Sequence, residues 1–500
     1  MKKKILAVGV AATLGALSGV SNAALTVQPG GVGQINILPY YTVQNGNTTL
    51  ISIANTDELN GKAVKVRFRG AEFSDDVFDF QLFLSPADVW TAAITLDGGV
   101  ARMNTVDNSC TIPAKSDLNA KFVTARLKSP ATGTREGYVE IINMGDIVKV
   151  PNYVEATATA TQKAQQALYT ATKHVAGVAP CTASVLVGDV ANPNDLTGSL
   201  TSPTSGLTSF AVILNVAETK AFTVPATAIA QNAATAVPVR FARQARLTAG
   251  TTSAGFAPIA FGVAQTADGV FSTNATAGGN VKMYEFDLPD LSTPYGTADT
   301  TAQLSELQAA LAKSYVKTEY ASDTGIDAMT DVVLSQPTRR YYYTWTDVTA
   351  AEGDTKETLA TVKGAIVGSP YEGLNATANT IEVGAPSLYN REEGTVASGN
   401  AVVISPNPES SAVWELKGEV SVLSINNTTV PTGALGASLT AKDYTFDLVD
   451  GWARLSTTTK NHARQLPVIG FTAVNVFNDQ ANPGTNYGQV LPLKWDAVLP

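Results

Sequence analysis

The chain has 500 residues, enough for two or three domains with separate cores, and 34 basic against 43 acidic side chains give it a formal net charge of −9. No run of Lys or Arg offsets that acidity, which argues against a nucleic-acid partner, because phosphate binding rests on clustered cations. Charged residues are only 15% of the chain. Thr, Ser, Asn, Gln and Gly must therefore carry the polar surface, as suits extracellular packing, glycan contact or an inert wall protein.

The chain opens on Lys2, Lys3 and Lys4, an apolar run from Ile5 to about Val20, and small residues Ser21, Asn22 and Ala23. That is the layout of a secretory signal cleaved after Ala23. The run is short for a membrane span, rich in Ala and Gly, and lacks a basic stop, so no transmembrane span is expected once the signal is gone. The expected address is Sec export to the cell surface or beyond, with the periplasm as alternative.

From Ile35 the pattern is that of strands. Ile35 to Val43 meets Thr48 to Ile53 across Asn45-Gly46, two residues that tolerate the positive φ of a tight hairpin turn. In Ala63 to Arg69, Val64, Val66 and Phe68 alternate with Lys65, Arg67 and Arg69, as in a strand with one face in the core and one in water. Phe78, Phe80, Leu82 and Leu84 repeat this, with Asp79 and Gln81 expected outward. After a turn at Ser85 to Asp88, strands follow at Val89 to Ile94, Tyr138 to Asn143 and Phe210 to Val216. Short alternating strands with frequent turns predict a mainly β fold of antiparallel β-sandwich (Ig-like) domains with a few inserted helices.

Two stretches interrupt the pattern. Glu155 to His174, rich in Ala, Thr and Gln, reads as a weak inserted helix. Ala302 to Tyr320 reads as a better one, with Leu304, Leu307, Leu311 and Tyr315 on one face. The last third returns to strands: Asp331 to Leu334, Arg340 to Trp345, Val413 to Leu416, Val420 to Ile425, Gly451 to Leu455 and a buried strand at Leu466 to Val474. The expected organisation is a signal at 1–23, an N-terminal β-sandwich domain at 24–240 with an insertion near 150–175, a connecting region at 241–330 with a helix near 302–320, and a C-terminal β domain at 331–500.

The two cysteines, Cys110 and Cys181, are most simply one disulfide in an oxidising compartment. It closes a loop of about seventy residues, worth roughly 4 kcal/mol in the chain-entropy account. The two histidines, His174 and His462, have no acid close in sequence, and neither a G-x-S-x-G elbow nor an H-E-x-x-H helix occurs. Asp75, Asp76 and Asp79, with Glu72 nearby, are the densest carboxylates. Their spacing across a turn fits calcium better than acid/base work, but the D-x-D-x-D-G loop is missing and a solvated turn is the simpler reading. No other cofactor or metal is expected. Tyr341, Tyr343 and Trp345, read as one strand with Tyr341 and Tyr343 sharing a face, are candidates for ligand or partner contact, against the plainer reading of a core face and an amphipathic rim.

Segments along nearly the whole mature length resemble an uncharacterised family of secreted proteobacterial proteins described as cell-surface or surface-layer-like. They include Ile37 to Thr42, Leu50 to Thr56, Ala63 to Phe68, Phe78 to Trp90, Asp107 to Cys110, Glu136 to Gly145, Ala179 to Cys181, Tyr284 to Pro289, Thr330 to Arg340 and Leu466 to Phe471. The resemblance implies a non-enzymatic structural protein, a surface-layer or extracellular matrix subunit, with self-association or cell-envelope components as partners. It places both cysteines in matching contexts and brings no catalytic motif. The alternatives are a soluble adhesin or glycan-binding module, and then an enzyme acting on extracellular polymer.

Overall fold

A computed structural model describes residues 25–495 except 125–126, 128, 130–131, 187–194, 232–236, 238, 240, 242–264, 267–269, 272–288, 294–299, 347–360, 366, 397–413, 427–432, 446–447 and 478–485. The signal-like segment and most of the expected connecting region lie outside the described residues.

The first half is built from Leu25–Val27 (β1), Ile35–Thr42 (β2), Thr48–Asn55 (β3), Gly61–Gly70 (β4), Asp76–Leu84 (β5), Val89–Asp97 (β6), Val100–Asn104 (β7), Cys110–Ile112 (β8), Glu136–Ile147 (β9), Leu207–Asn215 (β10), Lys220–Pro225 (β11) and Thr227–Gln231 (β12). They form a seven-stranded sheet in the order β1-β12-β2-β9-β4-β5-β8 and a five-stranded sheet in the order β11-β10-β3-β6-β7. The two sheets pack face to face as a β-sandwich. Asn45 and Gly46 make the β2–β3 turn with φ of 49° and 78°, the left-handed geometry that Asn tolerates and Gly, without a Cβ, adopts freely.

The second half is again two layers. A five-stranded sheet runs Ala441–Thr445, Val420–Asn426, Met329–Ser335, Ile469–Phe477, Asn486–Pro492, antiparallel except for its first pair. A four-stranded sheet runs Tyr315–Ala321, Asp450–Ser456, Ser387–Asn390, Thr395–Val396. Val332, Leu334, Leu423 and Ile425 face the four-stranded sheet and form the second core. Val333, Val420, Val422, Phe471 and Ala473 face the other way and join the core of the first sandwich, with Tyr40. A sheet covered on both faces needs nearly continuous apolar strands, and Val332-Val333-Leu334 supplies one.

Three sequence expectations change. The helix expected near 302–320 ends sooner: it spans Thr300–Leu311, burying Leu304, Leu307 and Leu311, while Tyr315 begins a strand. The period-2 run Val316, Thr318, Tyr320, buried on one side, wins over helical spacing there. The second sandwich thus begins near Tyr315 rather than at 331. The strand expected at Arg340 to Trp345 starts only at Tyr343, because Arg339–Tyr342 is a 3-10 turn. The inserted helix is present as Ala160–Thr172, held by a reciprocal cap in which the Gln162 amide N–H donates to the Thr159 hydroxyl and the Thr159 N–H to the Gln162 side chain.

Cys110 on edge strand β8 is bonded to Cys181, beyond the inserted helix. Below that helix, Phe83, Met144, Ile147, Leu168 and Ala171 make a small third core. The bridge closes a 71-residue separation. The double variant C110A/C181A is expected to lose about 2–4 kcal/mol of unfolding free energy, read from the denaturant midpoint; an unchanged midpoint would show that the insertion holds itself.

Candidate functional site

The alternation along β4 suggested cations in water. Lys65, Arg67 and Arg69 are instead fully buried, as is Gln81, and Asp79 is nearly so. The reason is visible in the second half, which lies across this face of the seven-stranded sheet. A segment around Pro289 and Asp290 and the turn after Ser335 cover it, so both faces of β4 are inside.

Cross-strand register assembles the cluster. Arg67 stands opposite Asp79 on β5 and Glu140 on β9, and Arg69 opposite Asp76 and Tyr138. The Lys65 ammonium lies 2.8 Å from Asp79, and Arg67 Nε 2.8 Å from Asp76 with Nη2 3.7 Å from Asp79. Arg69 Nε lies 3.2 Å from Glu140 and its Nη2 4.0 Å from Asp290. Arg67 Nη1 donates to the Pro289 carbonyl at 3.1 Å, and the Tyr138 hydroxyl to the Pro337 carbonyl at 3.4 Å. Arg340 donates to the Ser74 carbonyl, and Arg339 to Asn379 Oδ1 at 2.7 Å. Burial works against the Asp79 carboxylate, yet Lys65 and Arg67 hold it at about 2. Asp290 is pushed up by burial and by Glu140.

A second set of buried carboxylates ties the halves at the β2–β3 turn. Glu136 accepts the backbone N–H groups of Ser438 and Leu439, both at 2.9 Å, and the Tyr40 hydroxyl at 3.3 Å. Asp331 accepts Leu435 N–H at 2.7 Å and the Ser424 hydroxyl at 2.6 Å. Asn45 and Asn47 donate to the carbonyls of Gly436 and Leu435, each at 2.8 Å. Burial is the main cause that raises Glu136 to about 7, Asp331 to about 6 and Glu419, near Arg339 and Arg340, to about 8.

The residues singled out in sequence fall as follows. Tyr341 is fully buried in the 3-10 turn, beneath Arg340, whose guanidinium lies 5.8 Å from its ring centre. It is not on the strand that carries Tyr343 and Trp345, and its side chain is enclosed rather than displayed at the surface. The backbone of Tyr343 and Trp345 pairs with Thr361–Ala365; their side chains lie outside the described set. Asp76 and Asp79 are engaged by Arg67 and Lys65 rather than displayed on a solvated turn. Among the described residues no group of three or more His, Cys, Asp or Glu is placed to hold a metal.

Folding does bring a serine and an acid to His174. Ser85 Oγ is 3.1 Å and Asp88 Oδ2 3.3 Å from the ring, both at Nδ1. A catalytic relay needs the nucleophile and the acid on opposite ring nitrogens. Ser85 is also buried, and Ser109 adds a further hydrogen bond to Asp88 at 3.4 Å. This is a polar tie between the β5–β6 turn and the end of the inserted helix. His462 sits on the surface beside Glu372, which pairs with Arg464 at 3.1 Å. Comparison with protein-family models, curated proteins and solved structures finds no match.

Sequence reasoning missed Glu140 and Asp290 altogether. The available signal was a lone glutamate inside the apolar run Tyr138-Val139-Glu140-Ile141-Ile142, which a buried strand carries only with a cation beside it. Replacing Arg67 by Met strands three nearby carboxylates in the interior and is expected to cost about 3–5 kcal/mol, measured by equilibrium unfolding; a loss below ~1 kcal/mol, the worth of an exposed pair, would refute the network's role.

The raised carboxylates make a second expectation. Their folded pKa values exceed the unfolded ones, so their contribution is full below about pH 4, where they are neutral in both states, and is lost as pH rises through about 6–8. Asp57 and Asp79, both held at about 2, act in the opposite sense and lose their contribution only below about pH 4. The denaturant midpoint is therefore expected to fall from pH 5 to pH 8. The variant E419Q should flatten that slope, and an unaltered slope would remove Glu419 as its cause.

Proposed function

We propose that the chain is a secreted, non-enzymatic structural protein of the bacterial cell surface, a subunit of a surface layer or extracellular matrix. The charged groups that folding gathers are buried between the halves, out of reach of a substrate. Their arrangement suits a rigid body better than a reaction centre. The signal-like start and the family resemblance supply the address.

The observation that carries self-association is the outer face of the five-stranded sheet in the first sandwich. Register aligns Pro225, Phe210, Ser52 and Thr91 in one row and Thr223, Val212, Leu50 and Ala93 in the next. No charged residue stands in these rows. Phe210 is 45% and Leu50 38% exposed, and Val89 on the same face is 48% exposed. In a chain of net charge −9, two copies repel across most of their surfaces, and these two uncharged rows, with Phe210 and Leu50 exposed, are where they meet at least electrostatic cost, Asp97 and Arg102 further along the face being paired with each other.

The purified mature protein is expected to grow in mass with concentration by sedimentation velocity and to form sheets or polymers under the electron microscope. F210E and L50E place a carboxylate on the face and should hold the protein monomeric while leaving its circular dichroism unchanged. Wild-type protein that stays strictly monomeric at every concentration would overturn the reading.

A further inference from the structure

The four-stranded sheet of the second sandwich presents a very different outer face. Its inward residues, Val316, Thr318, Tyr320, Ala453, Leu455 and Leu388, are buried. On the outer side, Tyr389 stands directly opposite Trp452, with ring centres 4.4 Å apart and planes 13° from parallel. Trp452 is 39% exposed. Gly451, just before it, leaves no room for a side chain, because the Tyr389 carbonyl lies where a Cβ would be. The two strands are thus held close enough for the rings to stack.

Beside the ring pair runs a row of cations. Lys494 forms an isolated bridge to Lys317, and Lys317 stands opposite Arg454, so three positive side chains occupy adjacent positions on two neighbouring strands and the segment beside them. Like charges directly opposite one another destabilise a sheet. Arg454 also lies 3.9 Å from the centre of the Tyr315 ring, which sets the guanidinium against an aromatic ring. Glu319, opposite Trp452, pairs with Lys494 at 2.6 Å and Asp450 with Arg391 at 3.9 Å, so Lys494 is partly neutralised and Lys317 and Arg454 carry most of the positive charge of the row. On a chain that is acidic as a whole, this face is locally basic and aromatic.

We propose that this sheet face binds an acidic polysaccharide, a carboxylate-bearing sugar chain. The flat Trp452 ring suits the apolar C–H face of a pyranose, and the row Lys494, Lys317, Arg454 suits carboxylates repeated along a polymer. Strand spacing sets these cations about 10 Å from end to end, which is a stretch of chain rather than a single sugar. Arg454 recognises a carboxylate through its fork of N–H groups, Lys317 and Lys494 as point charges. The inference rests on the chain being exported, where such polymers occur, but not on self-assembly.

The test uses the full mature protein in affinity gel electrophoresis with polygalacturonate, neutral dextran and oligothymidylate. Polygalacturonate should retard the wild type, weakly at high salt, and neither of the other two should. W452A and R454Q, both on the exposed face, should each weaken the retardation at least tenfold with unaltered circular dichroism and melting. The monomeric F210E protein should still bind, which separates this inference from the assembly reading. Four outcomes would overturn it: no retardation by polygalacturonate, equal retardation by oligothymidylate, unchanged binding in both variants, or a wild-type dimer that W452A dissolves, which would make a second copy the occupant.

Discussion

Burial of the charged face of β4 is the constraint on which the rest of the structure depends. Three cations on one strand, Lys65, Arg67 and Arg69, have no access to water. Taking an unpaired ion into a protein interior costs several kcal/mol, so each must meet a carboxylate held in place. β5 provides Asp76 and Asp79 and β9 provides Glu140. The last carboxylate, Asp290, comes from beyond the first sandwich, and so do the carbonyls of Pro289 and Pro337 that complete the polar contacts. The first sandwich alone would expose this face half-satisfied, and the second half finishes it.

The same dependence runs in the other direction. The five-stranded sheet of the second half is apolar on both faces, and among the described residues one of them is covered by the first sandwich. The segment from Gly433 to Leu439 passes between the halves, and its amides are received by Asp331 and Glu136. Each half therefore supplies what the other lacks: polar partners for β4 in one direction, apolar cover for Val333, Val422 and Phe471 in the other. The two halves share one core, and relative motion between them would expose both deficits at once.

How much of this was legible in the sequence follows from what alternation can and cannot say. Period-2 patterning located β4 and β5, because a strand's two faces differ in composition whether or not both are buried, while β-rich runs bounded by turn residues located β2, β3, β6, β9 and the strands at Met329–Ser335 and Val420–Asn426. It misplaced the polar face of β4, since Lys65-Val66-Arg67 reads identically with water or with carboxylates on its charged side. Cover from distant residues such as Asp290 leaves no local mark. The same limit explains Tyr341: three consecutive tyrosines favour a strand by propensity, while the turn from Arg339 is set by the hydrogen bonds of two arginines to Asn379, Gly418 and Ser74. Ser85, Asp88 and His174 came together only through the insertion, and even then in the wrong order for chemistry. The cysteine pair was legible because a chain with two cysteines leaves a single possible pairing.

The fusion of the halves also bears on how two unlike surfaces could serve one protein. The outer face with Phe210 and Leu50 belongs to the first sandwich, and the face with Trp452 and Arg454 to the second. In a chain of hinged domains their relative direction would vary from copy to copy. Here the path between them passes through β3, the seven-stranded sheet, the buried ion network and the central sheet of the second half, each packed on the next without a solvated break. Copies joined through the first face would then all carry the second face in one fixed orientation relative to the contact. A weak individual attraction to a polymer becomes strong when many identical faces are held in register. On the proposed reading, the buried charges would serve to keep two exposed surfaces in a constant geometry.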